Sequence, residues 1–120
     1  NLQWWEFEVL IDLIFRQGGW QREGEIGKTQ KTLDLDLYAP VTGERAIVQI
    51  KAQSSLSEFK EYIDKFARMS DYDKFFYIVH TADKSLKEYT NETDIELYLV
   101  DKIAELTLRS GLIEWVIKKA

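Results

Sequence analysis

Two polar residues one position apart, Gln49 and Lys51, stand inside the apolar run Ala46-Ile47-Val48-Gln49-Ile50-Lys51. Upstream, Asp36 sits in a second run of the same kind, Leu33-Asp34-Leu35-Asp36-Leu37-Tyr38-Ala39. In a strand the side chains alternate between faces, so Gln49 and Lys51 share one face while Val48 and Ile50 share the other. Asp34 and Asp36 likewise share a face of their own strand. A carboxylate, an amide oxygen and an ammonium brought together can hold a hard cation and set water against a phosphate. Magnesium suits such a set, because it prefers oxygen and keeps several of its waters. Asp36 is the expected anchor of the ion, with Asp34 as the alternative, and Gln49 and the Ile50 carbonyl supply further oxygens. Lys51 then meets the attacking water or the scissile phosphate.

These residues need elements to position them. Trp4 to Arg16 reads as a helix, apolar around most of its girth, with Glu8, Asp12 and Arg16 as a narrow polar stripe at i, i+4 spacing. Gly18-Gly19 stops it. Trp20 to Ile26 reads as a strand, Gly27 to Gln30 as a turn, and Lys31 to Ala39 as a second strand. Pro40-Val41-Thr42-Gly43 turns the chain into a third strand over Arg45 to Lys51. Ser55-Leu56-Ser57-Glu58 has the form of a capping box, opening a helix to about Met69 with Leu56, Phe59, Ile63 and Phe66 on one face. Phe75 to His80 is almost wholly apolar, as a buried parallel strand should be. Ala82 to Asp94 reads as polar loop with room for one helical turn. Ile95 to Val100 is a strand, Asp101 to Arg109 a helix ended by Ser110-Gly111, and Leu112 to Lys119 a short closing helix. The expected fold is α/β, with a mixed central sheet (an antiparallel meander plus parallel strands) flanked by helices.

Taken together, Phe7-Glu8, Gly19-Trp20, Asp36-Leu37-Tyr38-Ala39 and Val48-Gln49-Ile50-Lys51 resemble the Mrr-like branch of the PD-(D/E)xK restriction-endonuclease superfamily. In that branch Gln takes the place of the usual acid before the lysine, as Gln49 does here. Phe76-Tyr77-Ile78-Val79-His80-Thr81 and Leu99-Val100-Asp101 are similar to its later strand and its last strand–helix joint. The resemblance implies a restriction-endonuclease-like fold and a magnesium-dependent DNA endonuclease of restriction type, with manganese as a substitute and DNA modification as a possible requirement. It implies Asp36, Gln49 and Lys51 as site residues and Glu8 as the acidic position of the first helix. The family's glycine-rich approach to the aspartate is replaced here by Lys31-Thr32-Leu33-Asp34, and the Leu37-Tyr38-Ala39 context favours Asp36 over Asp34. A neutral Gln49 also gives the cation less negative charge than Glu would.

Around this centre Lys28 and Lys31 flank the first hairpin as candidate phosphate contacts, and Gln53 and Ser55 precede the second helix. His80, the only histidine, ends a strand and reads as a strand-end imidazole rather than a base. The four tryptophans, Trp4, Trp5, Trp20 and Trp115, read as packing residues.

Composition bounds the rest. The 120 residues, 45% hydrophobic with a single proline, suit one folded domain. Apolar runs are too short to span a bilayer, which needs roughly 20 residues. Without cysteine there is neither a disulfide framework nor a thiolate site, in keeping with a cytoplasmic protein. The only methionine is Met69 and the chain opens on Asn1, so residues 1–120 are expected to be a nuclease domain cut from a longer protein, with a DNA-recognition domain elsewhere. Double-strand cleavage by a single-site domain leads to the expectation of a homodimer. The net charge of −5 runs against non-specific DNA binding, which favours basic surfaces. A bound cation locally offsets carboxylates. Two rivals stand beside this reading: a junction-resolving or repair nuclease, and a catalytically silent DNA-binding or interaction module of the same fold.

Overall fold

The computed structural model describes residues 2–29 and 32–120, with residues 24–29 and 32–34 described by their backbone alone. The elements run α1 (Trp4–Gln17), β1 (Gln21–Thr29), β2 (Thr32–Ala39), β3 (Glu44–Ser54), α2 (Leu56–Ala67), β4 (Lys74–Ala82), a 3-10 turn (Lys84–Glu88), β5 (Ile95–Tyr98), α3 (Val100–Arg109) and α4 (Ile113–Lys119). This is the α/β order expected from the pattern. The differences lie at boundaries: β1 continues to Thr29 through the residues expected to turn, and β3 and β4 each run past their expected ends.

Local chemistry accounts for the joints. The Glu6 carboxylate accepts from the Gln3 backbone N–H at 2.9 Å, which satisfies one orphan donor and puts negative charge at the positive end of α1. At the other end Gly19 takes φ 92, a conformation costly for any residue with a Cβ. The Trp20 N–H then reaches the Phe15 carbonyl at 3.0 Å and the Gly19 N–H the Arg16 carbonyl at 3.1 Å, a Schellman closure. Gly43, at φ 79, closes the β2–β3 turn with its N–H on the Ala39 carbonyl at 2.8 Å.

The five strands lie in the order β1-β2-β3-β4-β5. β1, β2 and β3 are antiparallel neighbours. β3, β4 and β5 are parallel. Parallel neighbours need a crossover, and α2 supplies it between β3 and β4. Helices therefore cover both faces. Phe7, Leu10, Ile11, Ile14 and Phe15 of α1, with Ile103 of α3, pack on Ala46, Val48, Ile50, Phe76 and Ile78. Phe59 of α2 packs on the other face with Ile47, Phe75, Tyr77 and Val79. Two-sided burial is why β3 and β4 read as continuous apolar runs, and why a polar residue among them stands out.

Candidate active site

The alternation of β3 turns Ala46, Val48 and Ile50 toward α1, leaving Ile47, Gln49 and Lys51 for the α2 side. Gln49 is 2% exposed, and its side-chain nitrogen has no hydrogen-bond partner among the described residues. A buried amide donor left unpaired costs about 1–3 kcal/mol, so such a group in a folded chain calls for a reason. Its cross-strand neighbours are Asp34 on β2 and Tyr77 on β4.

Register sets the two aspartates apart. Asp34 is paired with Gln49 and Thr32 with Lys51, whereas Asp36 is paired with Ile47. Asp36 therefore lies diagonally between Gln49 on one side and Arg45 on the other. Its carboxylate goes to Arg45, whose Nη2 donates to both oxygens at 3.1 and 3.2 Å. The same guanidinium lies 4.7 Å from the centre of the Tyr72 ring. Burial, then the Asp36 charge, push the Tyr72 phenol above its ordinary value. The pairing gives the position directly opposite Gln49 to Asp34, and leaves Asp36, the expected anchor, as the diagonal neighbour held by Arg45. The Asp34 side chain lies outside the described residues.

Lys51 keeps 13% of its side chain exposed, and its Nζ lies 2.8 Å from the Glu58 Oε2. The Tyr62 ring centre is 5.6 Å from the same ammonium. Glu58 was legible only as a capping residue. Ser55 does cap α2, its Oγ accepting from the Glu58 backbone N–H at 3.3 Å. The Glu58 carboxylate, however, turns to Lys51 and to the Ser54 hydroxyl, which donates to its Oε1 at 2.8 Å. Burial pushes this carboxyl up, yet the hydrogen bonds from Lys51 and Ser54 together hold it below the ordinary value. Behind Ser54 lies the Tyr77 hydroxyl at 2.6 Å, a group the sequence reading passed over.

Gln53, Ser54, Ser55, Glu58, Thr81 and Asp83 line an open cleft of about 410 Å³ at the carboxyl ends of β3 and β4. Ligands of open α/β sheets are commonly bound at that end of the strands. Gln53 and Ser55, expected as phosphate contacts, line this cleft together with Glu58.

Other expected members lie apart. Glu8 belongs to α1, which packs on the sheet face opposite Gln49 and Lys51. One turn along its polar stripe, Asp12 pairs with Arg22 of β1 at 3.7 Å and with Arg16 at 3.3 Å. The helix that carries Glu8 thus covers the sheet face opposite the one that carries Lys51. The Lys28 side chain and all of Lys31 lie outside the described residues. His80 is exposed, with Nδ1 3.0 Å from the Thr81 Oγ1 and its ring edge-on to Phe7 on the α1 side. Trp4, Trp20 and Trp115 pack against the α1 cluster, and Trp5 is 58% exposed.

The oxygen-only donors at Asp34, Gln49 and the Ile50 carbonyl have the chemistry that magnesium prefers. Among the described residues no three His, Asp or Glu side chains converge to hold a metal, so that fit depends on Asp34. Among the described residues no helix is long and apolar enough to cross a membrane. No family model, no curated protein and no solved structure matches this chain.

Proposed function

We propose that this chain is the catalytic domain of a magnesium-dependent DNA endonuclease with a restriction-endonuclease-like fold, in which Lys51 is the catalytic lysine. The observation that carries the reading is the strand face shared by Gln49 and Lys51, with Asp34 in register across from Gln49. A largely buried ammonium held by Glu58, which also lines the cleft, supports it.

In this reading Asp34, Gln49 and the Ile50 carbonyl hold the cation. When bound, the ion polarises the phosphate and eases deprotonation of a water. Lys51, held by Glu58, meets the phosphate oxygen on which negative charge grows. Glu58 touches neither; it orients Lys51. Gln53 and Ser55, on the rim of the cleft, contact the DNA strand. Manganese replaces magnesium, and a DNA-recognition domain and a second copy complete the cutting unit.

Plasmid nicking with magnesium or manganese, on modified and unmodified DNA, tests this. Cleavage should vanish with a chelator and fall on the order of a hundredfold or more in Lys51→Ala. A folded Lys51→Ala chain that nicks as well as the parent sinks the proposal. A silent module of the same fold is the second reading, favoured by the ion pairs that occupy Asp36 and Glu58. Magnesium titration separates the two, since a silent site shows no saturable binding that Asp34→Ala removes.

A further inference from the structure

Ser54 carries one hydroxyl proton, and its Oγ lies between three acceptors. The Glu58 Oε1 is at 2.8 Å, the Ser55 carbonyl at 3.4 Å and the Tyr77 hydroxyl oxygen at 2.6 Å. The short contact to an ionised carboxylate takes that proton, because charge-assisted hydrogen bonds are the stronger ones. Tyr77 must then donate to Ser54. The result is a directed chain, Tyr77 O–H to Ser54, Ser54 O–H to Glu58, with Lys51 donating to the second Glu58 oxygen.

The chain starts from a rigid point. Tyr77 is fully buried in β4, stacked on Phe59 at 4.7 Å and tilted against Tyr62 and Phe75 at 5.3 and 5.9 Å. Burial pushes its phenol well above the ordinary value, so the donor keeps its proton through the working range. Removing the hydroxyl alone leaves all three ring contacts in place.

We infer that Tyr77 and Ser54 are positioning residues, forming a buried relay that fixes the Glu58 carboxylate and, through it, aims the Lys51 ammonium. For the part Lys51 plays in cleavage, this rests on the nuclease reading. The geometry of the relay does not. Glu58 is faced by Lys51 from β3, by Ser54 at the β3–α2 joint, by Tyr77 from β4 and by Asp83 across the cleft. Tyr62 and Glu61, on the same helix as Glu58, act with it on the Tyr77 phenol.

The test is the Glu58 carboxyl titration, followed by carbon NMR in the labelled full chain, for the parent, Tyr77→Phe and Ser54→Ala. Cleavage is read on the same samples. The relay requires the Glu58 midpoint to move upward in both variants, by more in Ser54→Ala, with cleavage down on the order of ten- to a hundredfold. A midpoint that stays put in both folded variants overturns it, whatever happens to cleavage. A midpoint that moves in a chain whose parent never cleaves upholds the relay and removes the nuclease reading. If Ser54→Ala does not fold, Tyr77→Phe decides alone.

Discussion

The Lys51 ammonium and the Glu58 carboxylate meet at 2.8 Å across the joint between β3 and α2, joining the strand that carries the candidate lysine to the helix that follows it. The Glu58 carboxyl is held below its ordinary value of 4.5, so its ionised form is favoured more by the folded chain than by the unfolded one. A depressed carboxyl contributes stability that is present above the unfolded value and lost as pH falls through the folded one. Urea unfolding of the parent and Glu58→Gln should therefore differ near pH 7 and converge below about pH 4.5. Because Glu58 remains 37% exposed, the difference is expected to be about 1 kcal/mol or less.

The two aspartates of β2 should separate cleanly. Asp34→Asn is expected to abolish magnesium-dependent nicking, since Asp34 is the register partner of Gln49. Asp36→Asn breaks the Arg45 pair, on the side of Asp36 away from Gln49, and nicking should persist. Parallel plasmid assays on the two purified variants decide it, and a reversed order of effects returns the anchor to Asp36.

Gln49→Glu probes the neutral member of the site. A carboxylate in this 2% exposed position stands across from Asp34, while the Lys51 ammonium on the same strand face is already held by Glu58. Without metal the variant should lose several kcal/mol, as an uncompensated buried charge does. Magnesium binds the folded state preferentially and should restore much of that loss. Thermal melts with and without magnesium check this; a deficit that the ion leaves untouched argues against a cation site there.

Phe59→Ala tests the packing beneath the relay. Phe59 is fully buried and stacks on Tyr77, so truncation should cost about 3–5 kcal/mol in denaturant unfolding. A loss under about 1 kcal/mol would mean that α2 is not anchored to the sheet by this ring.

Much of the architecture was legible because it is decided by neighbours along the chain. The Gly18-Gly19 stop, the Pro40 to Gly43 turn and the Ser55 cap each act within a few residues, and the structure places all three. The shared face of Gln49 and Lys51 is equally local, being the period of a strand. Even the register lay within reach. Counting back from the Ala39–Glu44 pair beside the turn puts Asp34 opposite Gln49.

What the sequence by itself determined was therefore the order of elements and which residues share a face. Only the tertiary structure decided which groups meet. Glu58 reaches Lys51 because α2 folds back over β3, an angle set by Phe59 packing against Tyr77 and Phe75. Glu8 is carried to the far face because the apolar side of α1 packs on Ala46, Val48 and Ile50. Tyr77 becomes a donor only once parallel pairing brings β4 beside β3. Each depends on burying one face against a partner distant in sequence, and a local pattern shows that a face is apolar without naming what will cover it.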